Sequence, residues 1–198
     1  MSTVELYLTP KPFSQPLGEL MEGMELVYTI GYGGRSLEEL LELLERSGVV
    51  RVVDVRRWVK SVRRPELAGE NLARVLAGRG LDYVWLPELG GYRRFGVDVE
   101  DLGLARCFES EGFRAYATYI TTRREVKQHL ARLERLVSEK RSALLCRERV
   151  PWACHRKILS DYLVARGFKV LHILDAERAV EHKLSSCAVV EGGELKYL

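Results

Sequence analysis

Residues 25–55 read ELVYTIGYGGRSLEELLELLERSGVVRVVDV, and three successive patterns in that stretch decide the fold. Glu25–Ile30 is a short β-branched and aromatic run that stops at Gly31, as a strand does. Ser36-Leu37-Glu38-Glu39 follows, a capping box in which Ser36 and Glu39 satisfy backbone donors at a helix start. Leu37, Leu40, Leu41 and Leu44 recur at i, i+3, i+4 and i+7, so that helix carries one apolar stripe. Gly48 stops it. Val49–Val55 is then almost continuously apolar, the pattern of a strand buried on both faces of a parallel sheet.

The alternation continues outward from this unit. A helix is expected from about Glu70 to Arg79, and Tyr83–Leu86 is the third strand, closed by Pro87. A long loop, Glu88 to Gly112, precedes a short helix over Phe113–Ile120. Thr122-Arg123-Arg124-Glu125 reads as a second capping box, with Val126, Leu130, Leu133 and Val137 as its stripe. Ser142–Cys146 is the fourth strand, a helix runs from about Ala153 to Arg166, and Phe168–Leu174 is the fifth strand. The tail reads as a short helix near Glu177–Lys183, then a hairpin of Cys187–Val190 and Glu194–Tyr197 about Gly192-Gly193. The expected fold is α/β: a Rossmann-like three-layer sandwich around a mostly parallel, five-stranded sheet. Residues 1–23, rich in Pro and Gly, are expected to form an N-terminal extension with an edge strand at Val4–Leu8. Residues 24–176 make the α/β domain, and residues 177–198 are a helix and hairpin appended to it.

Composition bounds the function. The chain has 198 residues, is 46% hydrophobic and 30% charged, and carries a formal charge of only +3, so no global basic field demands nucleic acid. The cations are lopsided: 23 Arg against 8 Lys, and Arg is the side chain that forks onto carboxylate or phosphate. One Asn, two Gln and abundant Arg and Glu give a thermophile-like composition. Met1 to Leu8 lack a secretory pattern, and no apolar stretch approaches the ~20 residues that cross a bilayer. Four scattered cysteines, Cys107, Cys146, Cys154 and Cys187, do not form a disulfide framework. The expected address is cytoplasmic with reduced thiols, hot-living organisms being the exception.

Ligands of parallel sheets bind beyond the carboxyl ends of the strands. There the first strand releases Tyr32 and Arg35, and the second ends in Asp54 followed by Arg56 and Arg57. Glu88, Gly90 and Gly91 follow the third strand; Cys146, Arg147, Glu148, Cys154, His155 and Arg156 follow the fourth. The loop Arg56–Arg64 holds five cations in nine residues around Trp58, a composition suited to phosphate contact and base stacking. Cys154 beside His155 suits an activated thiol with a proton carrier. The cysteines fit a thiol nucleophile, a reversible disulfide, a metal set with His155, or plain packing. Their eight-position separation is unlike a zinc ribbon, so no metal is assigned and the cofactor is open. Asp54 lies in a strand expected to be buried, where capping the adjacent loop is its simplest task.

The same residues resemble a known family. Thr29-Ile30-Gly31-Tyr32-Gly33-Gly34-Arg35-Ser36, Val53-Asp54-Val55-Arg56, Leu86-Pro87-Glu88-Leu89-Gly90-Gly91, Phe113-Arg114-Ala115-Tyr116-Ala117-Thr118-Tyr119 and Leu145-Cys146-Arg147-Glu148 with Pro151 and Cys154-His155-Arg156 occur in order across about residues 25–173. They are similar to the domain-of-unknown-function 488 family, which often has other residues at Tyr32-Gly33-Gly34. The resemblance implies a Rossmann-like α/β fold and no particular reaction.

The expected function is an enzyme, a Cys/His-dependent hydrolase or transferase acting on a phosphate-bearing substrate, either a nucleotide or nucleic acid. Arg56, Arg57, Arg64 and Arg156 would hold the anion, with Tyr32, Arg35, Asp54 and Glu88 around it. Cys146, Glu148, Cys154 and His155 would carry the chemistry. The alternatives are a non-catalytic nucleic-acid or nucleotide-binding module and a thiol redox or metal-binding protein. No membrane partner is expected, and the oligomeric state is open.

Overall fold

The computed structural model describes residues 25–198, so the extension and the edge strand expected at Val4–Leu8 lie outside the described residues. Strand β1 (Leu26–Gly31) leads through α1 (Leu37–Arg46) to β2 (Arg51–Asp54), and α2 (Gly69–Gly78) leads to β3 (Asp82–Trp85). Helices α3 (Glu111–Thr122) and α4 (Arg124–Glu139) precede β4 (Ser142–Cys146). Then α5 (Arg156–Ala165) leads to β5 (Lys169–Ile173) and β6 (Ala179–Glu181), and β7 (Ala188–Glu191) pairs with β8 (Glu194–Tyr197).

The main sheet has six strands in the order β3-β2-β4-β1-β5-β6, parallel except for β6. The chain runs outward from β1 to β3, then doubles back to insert β4 beside β1. Right-handed crossovers therefore lay helices on opposite faces before and after the reversal. One face packs Leu40, Leu41 and Leu44 of α1 and Leu72 and Leu76 of α2 on Tyr28, Ile30, Val52, Ala143 and Leu145. The other packs α3, α4 and α5 on Val27, Val53, Leu144 and Val170. Successive strand residues point to opposite layers, which is why both faces need apolar side chains.

Local chemistry explains most boundaries. The Ser36 hydroxyl accepts from the Glu39 N–H (3.0 Å) and caps α1. Gly192 and Gly193, both at positive φ, turn the final hairpin. Pro65, Pro87 and Pro151 each start a one-turn 3-10 segment in the loops after β2, β3 and β4, their fixed φ suiting that first position. Among the described residues no helix is long and apolar enough to cross a membrane.

Four expectations need correction. The segment expected as a helix over Glu177–Lys183 contains β6, whose pairing with β5 satisfies the sheet edge. Thr122 does not cap α4: its hydroxyl turns back to the Thr118 carbonyl (2.7 Å), and extended Arg123 separates α3 from α4. The helix expected from Ala153 begins at Arg156, because the turn at Pro151–Ala153 uses the preceding residues. Cys107 and Cys187, eighty positions apart, are joined in a disulfide with Cα atoms 5.6 Å apart. The fold brings together two cysteines that sequence spacing could not pair.

Candidate functional site

Strand ends β1 and β4 lie side by side, with Gly31 opposite Cys146. The chain beyond β4 must therefore cross close above β1. A Cβ on Gly31 would lie 1.8 Å from the Glu148 carbonyl oxygen, so only glycine admits the crossing. The N–H of Tyr32 donates to the Cys146 carbonyl (3.2 Å) and that of Gly33 to the Arg147 carbonyl (2.7 Å), pinning the two loops together.

This crossing folds Cys146, Glu148, Cys154 and His155 into one cluster whose donor atoms all lie within 4.8 Å of one another. The thiols of Cys146 and Cys154 approach Glu148 Oε2 at 3.0 and 3.4 Å. They lie 3.8 and 3.7 Å from His155 Nδ1. His155 Nε2 sits 2.9 Å from the Val55 carbonyl. Arg156, fully buried, donates from Nε to Cys154 Sγ (3.3 Å), from Nη1 to Thr29 Oγ1 (3.3 Å), and from Nη2 to the Glu148 carbonyl. Burial opposes ionisation of Cys154, but hydrogen bonds with Cys146 and His155 and the charge of Arg156 outweigh it, holding that thiol well below its usual range. The hydrogen bond with Cys154, burial and the Glu148 carboxylate push Cys146 the other way. Cys154 is thus the thiol that ionises first. Two thiols, an imidazole and a carboxylate offer nucleophilic and acid–base chemistry, and the same four side chains could hold a metal ion.

Cys146, Glu148 and His155 open onto a cleft of about 640 Å³, a volume suited to a small ligand. Arg57, Lys60, Arg63 and Arg147 line it as cations, with exposed Trp58 and Tyr92 between them. The Trp58 and Tyr92 ring centroids are 5.9 Å apart, and the Arg57 guanidinium lies 5.1 Å from the Trp58 ring. Tyr92 holds a positive φ of 61°, unusual for a bulky residue, and its hydroxyl lies 3.4 Å from Glu148 Oε1. The Glu148 charge, then burial, raises the Tyr92 phenol above its ordinary value.

The other expected residues divide by how their polar groups are used. Tyr32, Arg56, Arg57 and Arg64 line the cleft. Arg56 is nevertheless committed inward. Its Nη2 and Nε bond buried Asp54 (2.6 and 2.9 Å), and its Nη1 reaches Tyr32 and the Leu67 carbonyl. Burial opposes the Arg56 charge, but the Asp54 carboxylate overcomes it and raises the guanidinium above its ordinary value. Asp54 also accepts from the Arg56 N–H (3.0 Å) and the Tyr83 hydroxyl (2.6 Å), so it fixes the start of the basic loop. Arg57 donates to the Tyr92 carbonyl (2.7 Å) and Asp98 (3.0 Å); Arg64 donates to Glu66 (2.8 Å) and the Arg35 carbonyl (2.7 Å). Arg35 is buried and donates to the Gly31 and Leu174 carbonyls, tying strand ends together. Glu88, expected around the anion, does not line the cleft: its carboxylate lies 3.5 Å from His129 on α4.

Sequence reasoning missed Tyr92 as a lining residue, and it placed Arg147 at the strand-end rim without giving it a role. The signal for Tyr92 was an aromatic directly after Gly90-Gly91. It also missed a buried polar chain behind the cluster. Thr29 Oγ1 lies 2.7 Å from His172 Nδ1, His172 Nε2 lies 3.0 Å from His182 Nδ1, and His182 Nε2 lies 2.8 Å from Asp161 Oδ1. Asp161 also accepts from the Ser185 and Tyr197 hydroxyls, both at 2.7 Å. A histidine inside the apolar run Val170-Leu171-His172-Ile173 was the available clue.

No curated protein and no solved structure matches the chain. A family model described as "Domain of unknown function DUF488" matches residues 36–163, more than half of the sequence. That span runs from the cap of α1 through β4, the Cys146–His155 loop and most of α5, and so takes in all four clustered side chains. The chain therefore belongs to the DUF488 family.

Proposed function

We propose that the chain is an enzyme acting on a phosphate-bearing substrate, a nucleotide or nucleic acid, bound in this cleft and transformed at its Cys146, Glu148, Cys154 and His155 floor. One observation carries the reading: a single cleft joins a wall of cations to a thiol–imidazole–carboxylate floor. Phosphate oxygens suit Lys60, Arg63 and Arg147, which stand at exposed positions, whereas Arg56 and Arg156 are spent on protein acceptors. The Trp58 and Tyr92 faces suit a base or ribose, since stacking tolerates any base. Cys146 and His155, nearly buried at the floor, suit chemistry on the end of the substrate that enters deepest.

The exposed Trp58–Tyr92 pair beside Arg57 also favours a second reading, a nucleic-acid-binding module without turnover. One experiment separates them. Trp fluorescence is followed while a nucleoside triphosphate or a single-stranded oligonucleotide is added at several salt concentrations, and the same mixtures are assayed for hydrolysis or transfer. Affinity is expected to fall with salt, and Lys60→Ala and Arg63→Ala to reduce the oligonucleotide salt slope by about 1 each. Cys146→Ala and His155→Ala should retain binding and lose turnover. Binding without turnover by the wild type favours the module, and no binding of any phosphate-bearing probe at low salt defeats both readings.

A further inference from the structure

We propose that Cys146, Glu148, Cys154 and His155 form a four-ligand centre for a divalent cation of the zinc class. This deepens the enzymatic reading, on which it rests only for where substrate would lie. The donor set is two thiols, one imidazole nitrogen and one carboxylate oxygen, the mixture that selects zinc-like ions over magnesium or calcium.

The spacing of the donors fits such an ion. Zinc bonds of about 2.3 Å to sulfur and about 2.0–2.2 Å to nitrogen and oxygen, set tetrahedrally, separate the ligand atoms by roughly 3.3–3.8 Å. The sulfur-to-oxygen distances are 3.0 and 3.4 Å and the sulfur-to-nitrogen distances 3.8 and 3.7 Å. Three of these four edges of the tetrahedron already lie in that range, and the fourth, from Cys146 Sγ to Glu148 Oε2 at 3.0 Å, is shorter.

The surroundings prepare the ligands independently of that spacing. The Val55 carbonyl can only accept, so His155 Nε2 bears a hydrogen, and Nδ1, the nitrogen that faces both sulfurs, is the one placed to ligate. A backbone carbonyl holding the far ring nitrogen is the usual support of a ligating histidine. Charge also closes. Two thiolates and a carboxylate bring three negative charges, a divalent cation brings two positive charges, and the buried Arg156 guanidinium beside Cys154 supplies the third. Arg156 also grips the Glu148 carbonyl, fixing the loop that carries a ligand. Finally, a Cβ at Gly91 would lie 2.8 Å from His155 Nδ1, so glycine there keeps the ligating atom uncrowded.

The eight-position interval between the cysteines is then no obstacle. The ligands come from the end of β4, the loop after it and the residues before α5, so the fold sets their spacing. Cys146, Glu148 and His155 line the cleft, so an ion held among them would sit at its floor, facing the cation wall.

The test uses the full chain, with thiols reduced, titrated with cobalt(II) and separately with zinc. The expected result is one ion per chain, with a thiolate-to-cobalt charge-transfer band and the intense visible bands of tetrahedral cobalt. Cys146→Ser and Cys154→Ser should each weaken that band. Glu148→Gln, at a partly exposed position, should bind but shift the visible bands, and Arg156→Gln should lower affinity by about 10–100-fold. Circular dichroism confirms that each variant is folded. Failure of the folded wild type to retain zinc or cobalt after dialysis overturns the proposal, as do cysteine variants that match its spectrum. The nucleotide and oligonucleotide titrations run on the same preparation. Metal uptake without ligand binding defeats the enzymatic reading alone, and ligand binding without metal uptake defeats the metal centre alone.

Discussion

Lowering the pH should destabilise this protein through His172, which resists protonation while the chain is folded. His172 lies on β5 opposite Thr29, 5% exposed, in a chain of hydrogen bonds that runs from Arg156 to Asp161. Arg156 donates to Thr29 Oγ1, and with a neutral His172 the Thr29 hydroxyl donates to His172 Nδ1. His172 Nε2 then donates to His182 Nδ1, and His182 Nε2 donates to the Asp161 carboxylate. A proton on His172 Nδ1 would confront a hydroxyl already committed as a donor. Burial, then the neighbouring His182 and Arg156, lower His172 from 6.5 to about 3, against smaller opposing effects of Cys154 and Asp161. Below 6.5 the unfolded chain takes up a proton that the folded chain refuses until about 3, so stability is complete above that window and falls as pH drops through it. The slope is about 1.4 kcal/mol per pH unit, and the loss between pH 7 and pH 4.5 is about 2.5 kcal/mol. The measurement is urea denaturation of the wild type and His172→Gln at several pH values in that range. The glutamine amide can accept from Thr29 and donate to His182 but does not titrate, while the other ionisable groups occur in both proteins and largely cancel in the difference. The deficit of the variant at pH 7 should shrink by that amount at pH 4.5. A deficit that stays constant with pH, or an NMR titration placing folded His172 near 6, refutes the reasoning.

Gly31→Ala should cost about 1–3 kcal/mol by overpacking, plus part of the charge-assisted bond between Arg156 and the Glu148 carbonyl, because the new methyl meets backbone atoms that cannot yield. Gly78→Ala, where nothing lies within 4 Å, should instead raise the denaturation midpoint, helical alanine being favoured by about 0.5–1 kcal/mol. Equal effects at the two sites would contradict the close crossing at β1. Cys107→Ser should lose about 4.5 kcal/mol, the loop-closure entropy of an 80-residue separation. Thiol counting in denaturant should find two reactive groups before reduction and four after, and four at the outset would disprove the bridge.

The readable parts of this chain were those in which a residue's neighbours in sequence settle its conformation. Ser36 caps α1 through a bond to Glu39, three positions on, and Gly192-Gly193 turns a hairpin whose strands begin beside it. The apolar run Val49–Val55 betrays two-sided burial without knowledge of what covers it. Convergence of Cys146, Glu148, Cys154 and His155 was legible for a related reason: parallel strands release their loops to one rim. Where distant partners decide, the reading failed. Three residues, Ala179–Glu181, become a strand only because β5 offers an open edge. The Cys107–Cys187 bridge and the insertion of β4 between β1 and β2 depend on contacts across tens of residues.

The arginines carry the more general lesson, because composition marked them as ligand-binding groups and the structure gives the buried ones another task. Carbonyl oxygens at the carboxyl ends of parallel strands and in the loops above them lack ladder partners, and each buried one must be satisfied. Arg35 takes those of Gly31 and Leu174, Arg156 takes that of Glu148, and Arg56 takes that of Leu67. A guanidinium spreads five donors over a rigid flat fork and can reach separated acceptors at once, where lysine has three donors on one rotating nitrogen. Truncating one would strand a buried acceptor and, for Arg56, leave the Asp54 charge unpaired, a loss of about 3–5 kcal/mol. These buried cations stiffen the rim, and a stiff rim keeps the thiols, Glu148 and His155 at their separations. Under the proposed function, binding of an anion would then fall to the exposed cations of the cleft, Lys60, Arg63 and Arg147. Substitutions among these three should therefore change affinity with little change in stability, and substitutions at Arg35, Arg56 or Arg156 should do the reverse before they touch chemistry.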